Sequence, residues 1–239
     1  MKRAIALGMT AAALAAAGCT EARSENGGPA VDRNYQVGEF DRIELSGPYS
    51  ATVRTGAGIS VRARGNQKAI DNLEVVVEDG ALVIRSKKKM SFSWGKSGKV
   101  ALDVTVPALR GAEIAGSGDM RIDRVAGESF DAGIAGSGNL TVSNVEVNRL
   151  KMAIGGSGNA KAAGGRARSV EYSISGSGGI DAKGVTAETA SVSIAGSGNV
   201  DGQATGTASV NISGSGNVGL TGGAKCTVSK AGSGNVRCS

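Results

Sequence analysis

The chain has 239 residues, of which 39 are glycine and 3% are aromatic, with a formal net charge of +6 and no histidine. A positive charge this mild, partly contributed by Lys2 and Arg3, does not favour a nucleic-acid-binding protein. Without histidine, a serine nucleophile lacks its usual base and zinc lacks a His/Cys cluster. Because 40% of the residues are apolar and recur regularly, the glycines indicate turns rather than disorder.

Residues 1–18 predict a signal peptide of the lipoprotein type. Lys2 and Arg3 precede an apolar stretch over residues 4–17, which is shorter than the about 20 residues that span a bilayer. The sequence Ala16-Ala17-Gly18-Cys19 resembles a bacterial lipobox, with Ala16 at the usual leucine position. We expect export and lipidation of Cys19, giving an outer-membrane lipoprotein in the periplasm or at the cell surface. Ordinary cleavage to a soluble product is the alternative.

Residues 19–34 are predicted to form a flexible tether, because they are polar and include Gly27-Gly28-Pro29. Residues 35–239 are predicted to form one domain, since no linker interrupts them. Up to residue 109 this region reads as short strands, such as Ile43 to Ser46 and Leu82 to Arg85, with a hairpin turn at Asp79-Gly80.

The tripeptide Gly-Ser-Gly recurs seven times, with spacings of 20, 20, 20, 20, 18 and 18. When the seven copies are aligned, the residue two positions before the first glycine is isoleucine in six copies and Lys230 in the last. The other aligned positions, which we call columns, alternate between apolar and polar residues. Alternation of period two predicts strands with one buried face, and a repeat of near-constant length predicts stacked coils. The first glycines of the copies are Gly116, Gly136, Gly156, Gly176, Gly196, Gly214 and Gly232.

The predicted fold is therefore all-β: a single right-handed parallel β-helix, or solenoid, with coils of about 18–20 residues and almost no helix. The repeats occupy the chain from residue 112 onward. The Gly-Ser-Gly-Asn step is predicted to be a corner, because glycine and asparagine adopt positive φ at low cost. The asparagines that follow are expected to stack their side-chain amides from coil to coil.

Cys226 and Cys238 fall in inward columns of the last coil, and an oxidising compartment permits disulfides. We therefore predict a disulfide between them that closes the open end of the core. Lys230, in the isoleucine column of the same coil, would discourage edge-to-edge stacking of solenoids, unless the terminal coil is simply frayed.

Five motifs, taken in order, resemble the head GIN domain family of putative auto-transporter adhesins. The resemblance runs from Tyr35 to the C-terminus. It implies a β-helical fold and a bacterial envelope location, and it implies no catalytic residues. The motifs are FDRIELSG from Phe40, ATV from Ala51, VEDGALVI from Val77, VTVPAL from Val104 and IAGSGD from Ile114.

No cofactor or metal is predicted. The segment from Gly214 to Gly219 matches the dinucleotide pattern G-x-G-x-x-G, but it is one copy of the repeated corner and no helical segment follows it. The loop around Lys87, Lys88, Lys89, Phe92 and Trp94 joins positive charge to aromatic rings. It is a candidate contact for an anionic lipid or a partner, or alternatively a hairpin that covers the side of the solenoid.

Two functional hypotheses follow. The first is a non-catalytic envelope protein, an adhesin or interaction module. It would bind a protein or glycan of the envelope or surface through a flat wall rich in serine and threonine. The second is a polysaccharide lyase or hydrolase on a β-helix scaffold, for which Arg121, Asp123 and Arg124 form the one cluster of interest. Because no stacked pair of outward carboxylates is evident in the repeats, we favour the first.

Overall fold

A computed structural model describes residues 28–87 and 99–239. These residues form one continuous sheet of 17 strands and one short helix. In chain order the elements are β1 Ala30–Tyr35, β2 Arg42–Ser46, β3 Ser50–Thr55, β4 Ser60–Asn66, α1 Gln67–Asp71, β5 Leu73–Glu78, β6 Ala81–Ser86, β7 Ala101–Val106, β8 Gly111–Gly116, β9 Asp119–Gly136, β10 Asn139–Gly156, β11 Asn159–Ala162, β12 Gly165–Gly176, β13 Gly179–Gly196, β14 Asn199–Gly214, β15 Asn217–Thr221, β16 Lys225–Ala231 and β17 Asn235–Cys238.

The repeat is confirmed as a stack of coils, a β-solenoid of about six turns. Strands of successive coils pair in parallel, so that each residue lies beside its equivalent in the next coil, as Ile134 lies beside Ile154. Between β13 and β14 the pairing shifts, because Asp181 pairs with Asp201 whereas Thr189 pairs with Thr207. The coil becomes shorter at that irregularity, which accounts for the change in spacing along the sequence.

Each coil has three sides. The ladder between β9 and β10 is interrupted at residues 143 and 148, and the chain turns a third time at the Gly-Ser-Gly corner. We call the side before the corner the first face; it contains β6, β2, β8, residues 129–136, 149–156, 169–176, 189–196 and 207–214, and β16. The second face follows the corner and contains β4, β7, β3, residues 119–122 and 139–142, β11, residues 179–181 and 199–203, β15 and β17.

The N-terminal coils are not stacked in chain order. Strand β2 lies between β6 and β8, and β3 lies between β7 and β9. The β2–β3 coil is therefore inserted between two coils that the chain forms later. Above them, β4 pairs antiparallel with β7, β1 with β4, and β5 with β6.

The cap, which consists of β1, β4, α1 and β5, corrects one expectation. Residues 30–34, predicted to belong to the tether, form most of strand β1, whose alternating side chains are half-buried. The cap strands pair antiparallel, and the pairing of β5 with β6 confirms the hairpin turn predicted at Asp79-Gly80. Helix α1 agrees with the expectation of almost no helix. It begins after Asn66, whose side chain accepts a hydrogen bond from the Ala69 N–H, and it buries Ile70 against the end of the core.

The core is the stack of inward columns, which are buried from Phe40 to Leu220 and contain no buried charged residue among those described. Isoleucine lies on isoleucine at residues 114, 134, 154, 174, 194 and 212, each at most 3% exposed. Stacking of like side chains buries a continuous apolar strip that no single coil could bury by itself. Within the described residues, no helix has the length and apolarity that crossing a membrane requires.

The corners depend on glycine. The first glycine of all seven copies has φ between +120° and +134°, a region that side chains disfavour. The asparagines that follow do not share this conformation, since Asp79 is the one described non-glycine residue with positive φ. The expectation of positive φ at asparagine was therefore wrong: these residues begin extended strands.

The C-terminal coil carries the predicted disulfide between Cys226 and Cys238, with the two Cα atoms 6.6 Å apart. It joins β16 to β17 across the open end of the core. Val228 is 46% exposed there, whereas Val210 in the preceding coil is fully buried. Lys230 donates a hydrogen bond from Nζ to the Gly234 carbonyl at 2.7 Å, so this side chain spans the last corner.

Candidate functional site

Small polar side chains fill the outward columns of the first face in the C-terminal coils. Their register is set by the parallel ladders, so that Ser191 lies beside Ser209 and Ser209 beside Thr227. Neighbouring strands are about 4.8 Å apart and alternate residues about 6.7 Å, which gives a regular array. We call this array the polar wall; it comprises Ser173, Ser175, Thr189, Ser191, Ser193, Thr207, Ser209, Asn211, Ser213, Thr227 and Ser229.

The N-terminal part of the first face is charged and contains a groove of about 430 Å³. The groove is open because Gly111 and Gly133 have no side chains. A Cβ at Gly111 would lie 3.1 Å from Arg42 Cγ, and one at Gly133 would lie 2.9 Å from Glu113 Cγ. Arg42 also donates a hydrogen bond to the Asp79 carbonyl at 2.7 Å. Lys151, at the rim, is 3.1 Å from Glu171.

Two exposed carboxylates meet in this groove. Glu44 on β2 and Glu113 on β8 are direct partners in the parallel ladder, with side chains on the same face. The repeat pattern could not show this pair, because Glu44 lies outside the Gly-Ser-Gly region and far from Glu113 along the chain. The sequence signal was weak: both residues follow an apolar residue in similar strand segments, Ile43-Glu44-Leu45 and Ala112-Glu113-Ile114.

A second groove, of about 370 Å³, lies on the second face near the C-terminus. Asp201, Gly219 and Arg237 are consecutive partners in one outward column, and glycine leaves a gap between the two charged side chains. A Cβ at Gly219 would lie 2.7 Å from Asp201 Oδ1, so the carboxylate leans over the gap. Asn199, Asn217 and Asn235 line the side nearest the corner.

The asparagines form the expected amide ladder, with one interruption. Asn217 Nδ2 donates to Asn199 Oδ1 at 2.9 Å, and Asn235 Nδ2 donates to Asn217 Oδ1 at 3.4 Å. On the other side of Gly179, Asn159 donates to Asn139, and Asn139 donates to Asp119. Asn139, Asn159, Asn217 and Asn235 each donate one amide N–H in the ladder, so the other N–H of each is available to a ligand.

Charged pairs continue along the second face. Burial alone would raise the pKa of Asp181, but hydrogen bonds from Lys161 and from the Lys183 N–H, with the charges of both lysines, hold that pKa below its ordinary value. Lys183 also lies 3.7 Å from Asp201. Lys183 therefore balances the carboxylate at the rim of the second groove.

The cluster proposed for catalysis has a structural role at its centre. Asp123 Oδ1 accepts hydrogen bonds from the Thr55 N–H at 3.0 Å and from Thr55 Oγ1 at 3.3 Å, which fixes the end of β3 against the coil below. A carboxylate engaged in this way is poorly placed as an acid or base. Arg121 lies on the second face and Arg124 beyond the next corner, so the ladder does not bring them together.

The remaining candidates are distributed as follows. Lys87 donates from Nζ to the Asp71 carbonyl at 2.9 Å and so holds α1. Cys19, Lys88, Lys89, Phe92 and Trp94 lie outside the described residues. The dinucleotide-like segment from Gly214 to Gly219 joins strands β14 and β15 and no helix follows it. No group of three His, Cys, Asp or Glu side chains that could hold a metal occurs in residues 28–87 and 99–239.

Solved structures with the same fold are similar to the chain. A putative adhesin from Bacteroides fragilis has 22% identity and a TM-score of 0.81, with 88% of this chain and 97% of that one covered. A putative lipid binding protein from Parabacteroides distasonis has 22% identity and a TM-score of 0.71, covering 89% and 98%. A putative adhesin from Parabacteroides merdae has 17% identity and a TM-score of 0.70, covering 89% and 97%. At these identities the likeness establishes the fold alone.

No curated protein matches the chain at a significant level. The sequence profile described as "Putative auto-transporter adhesin, head GIN domain" matches residues 39–224, which include the inserted coil, the cap apart from β1, and all but the last coil. This match agrees with the motifs that begin at Phe40 and with the stacked corners. The chain therefore belongs to the head GIN domain family of putative auto-transporter adhesins.

Proposed function

We propose that the protein is a non-catalytic adhesin or interaction module of the bacterial cell envelope. The family and the similar structures are named as adhesins or as lipid binding, and none of these names is that of an enzyme. The partner is a protein or glycan of the envelope or of another surface. No cofactor takes part.

The polar wall is the proposed contact surface, and its regularity is the observation that carries the proposal. Hydroxyl and amide groups repeat about every 4.8 Å along the axis, and in the coils from residue 189 onward Lys225 is the one charged residue in these outward columns. Each hydroxyl can donate one hydrogen bond and accept others. Many weak contacts to a repeating polymer add up through multivalency, so an extended surface of this kind suits adhesion.

Binding to immobilised peptidoglycan, glycans and matrix proteins tests this proposal. Ser209→Arg places a long charged side chain in the middle of the wall and should reduce retention on the bound material by about tenfold. Ser143→Arg introduces the same charge at an exposed position on the opposite side of the coil and serves as the matched control. Absence of binding to every surface, or equal losses in the two variants, would contradict the proposal.

We further propose that a lipid on Cys19 holds the protein at the membrane, in the periplasm or at the cell surface. The support is the apolar segment that ends at Ala16-Ala17-Gly18-Cys19. Metabolic labelling with a palmitate analogue should label the wild type and leave Cys19→Ala unlabelled, with the variant in the soluble fraction. If both proteins fractionate with the membrane without label, the anchor is not a lipid on this residue.

Hydrolysis of a glycosidic bond is a second candidate, favoured by one observation: the in-register pair Glu44 and Glu113. Retaining glycosidases hold their two carboxyl groups about 5–5.5 Å apart, close to the spacing of adjacent strands. Release of reducing ends from polysaccharides by the wild type, lost in Glu44→Gln, would establish it. A set of acidic and neutral polysaccharides left intact would remove it.

A further inference from the structure

The second groove interrupts the outward column in an unusual way. Asp201 and Arg237 are separated by one coil whose residue in that column, Gly219, has no side chain. The strands that carry Asp201 and Arg237 are therefore about 9–10 Å apart, which is wide enough for a single sugar ring between the two side chains. Gly219 and its neighbour Val218 line this groove, and the side chain of Val218 is buried in the core.

The polar groups that surround the gap include both hydrogen-bond acceptors and hydrogen-bond donors. Asp201 directs Oδ1 over Gly219 and is an acceptor for hydroxyl hydrogens. Asn217 accepts two hydrogen bonds from Asn235, one from its N–H at 3.3 Å and one from its side-chain amide at 3.4 Å, and donates one N–H to Asn199. Its second N–H points to no ladder partner and is available to a ligand oxygen.

The charge of the groove favours an anion. Lys183 lies 3.7 Å from Asp201 and balances that carboxylate. Arg237 is exposed and forms no ion pair with a carboxylate of residues 28–87 or 99–239, so it adds an unbalanced positive charge at the opposite rim. A guanidinium group binds a ligand carboxylate through two parallel hydrogen bonds.

We propose that the groove over Gly219 binds one uronic-acid residue of an acidic polysaccharide. Arg237 receives the sugar carboxylate, and Asp201 and the amide of Asn217 receive the ring hydroxyls. The volume of about 370 Å³ suits one sugar residue. The site lies on a different face from the polar wall, so it is independent of the proposed contact surface.

Oligogalacturonate is the probe, titrated by calorimetry into the full chain, with a neutral malto-oligosaccharide of equal length as the ligand control. Arg237→Gln removes the cation and should weaken oligogalacturonate binding about tenfold or more. Gly219→Thr fills the gap with a residue found elsewhere in the same column, at Thr52 and Thr141, and should have a similar effect. Its backbone φ is not in the positive region, and the atom that the new Cβ would displace is the terminal oxygen of the exposed Asp201 side chain, so the fold should tolerate the change.

Arg121→Gln is the matched control, because Arg121 occupies the same column at the other end of the solenoid. It should retain wild-type affinity within about twofold. An equal loss in Arg121→Gln and Arg237→Gln would mean general electrostatic attraction and would overturn the proposal. So would no binding of oligogalacturonate, or binding of the neutral oligosaccharide with equal affinity. Adhesion lost in Ser209→Arg but kept in Arg237→Gln would leave the polar wall proposal standing even if this one fails.

Discussion

Gly202 leaves the space that the ring of Tyr172 fills: a Cβ at residue 202 would lie 3.2 Å from Tyr172 Cε2. Met152 and Val192 occupy the same column in the neighbouring coils, so Tyr172 has the largest side chain of the three. The absence of a side chain at Gly202 makes room for its ring. The Tyr172 hydroxyl is buried and has no hydrogen-bond partner within the described part of the chain. A buried hydroxyl without a partner lowers stability, because its hydrogen bonds to water are lost on folding.

Tyr172→Phe should therefore raise the free energy of unfolding, by about 1 kcal/mol. The change removes the unpaired hydroxyl and leaves the ring in place beside Gly202. Urea unfolding followed by circular dichroism measures the difference. Tyr49→Phe is the control, since the Tyr49 hydroxyl is hydrogen-bonded to Ser86 and its removal should bring no gain. A lower midpoint for Tyr172→Phe would show that the hydroxyl has a partner in solution.

The same residue predicts a dependence on alkaline pH. Burial raises the pKa of Tyr172 above its ordinary value of 10.0. The unfolded chain then loses this proton at a lower pH than the folded chain. The contribution of this shift to the free energy of unfolding is therefore complete below about pH 10 and is lost as the pH rises further. The free energy of unfolding should fall more steeply between about pH 9.5 and 11.5 in the wild type than in Tyr172→Phe. A residual slope should remain, because burial also raises the pKa of Tyr35 and Tyr49.

Gly156→Ala should destabilise the solenoid by more than about 2 kcal/mol. Gly156 has a φ of +129°, and a Cβ there would overlap the carbonyl oxygen of Gly136 in the coil below. Its neighbour Gly155 provides the control, since a Cβ at that position has no atom nearer than 3.9 Å. Thermal unfolding should shift clearly for Gly156→Ala and little for Gly155→Ala. Equal shifts would show that the corner conformation is not the cause.

The repeated part of the fold was predictable because equivalent positions of successive coils carry the same chemistry. Ile134 beside Ile154, and Asn139 beside Asn159, follow directly from the spacing of the corners. The inserted β2–β3 coil was not predictable in this way. Its pairings, such as Glu44 with Glu113, join segments that are far apart along the chain, and no repeat period marks them.

The candidate sites were likewise predictable only where they follow the repeat. The disulfide and the amide ladder were predicted, since both lie within or between equivalent coils. The second groove was missed, although its column was visible in the repeat, because a glycine between Asp201 and Arg237 reads as one more turn residue. The sequence does not distinguish strand β1 from a tether, since its alternating residues acquire a buried face only when β4 lies beside them.

Loss of the disulfide should loosen the last coil and leave the others intact. Cys226 and Cys238 are 12 residues apart, and closing a loop of about this size stabilises by at most about 3 kcal/mol. Hydrogen exchange should accelerate over residues 222–239 in Cys226→Ser/Cys238→Ser and stay unchanged over 139–156. Protection retained throughout the last coil would mean that the ladder to β14 and β15 suffices.

Glu113→Gln should stabilise the fold slightly, by about 0.2–1 kcal/mol at low salt. The two carboxylates of Glu44 and Glu113 are ladder partners of like charge, so removing one relieves their repulsion. About 0.5 M salt should shrink the effect, since the pair is exposed to solvent. Glu146→Gln should act in the opposite direction, because Glu146 is paired with Arg166 at 2.9 Å. A gain that salt leaves unchanged would point to packing instead.

The inserted β2–β3 coil has a consequence for the order of assembly. Its neighbours on both sides come from residues 81–86, 101–106 and 111–122, so a chain that emerges amino end first cannot complete this layer until residue 122 is available. Contacts over such separations close slowly. The repeats after residue 136, by contrast, each need only the previous coil as a template. We expect assembly to be limited by closure of this amino-terminal layer, after which the rod lengthens coil by coil.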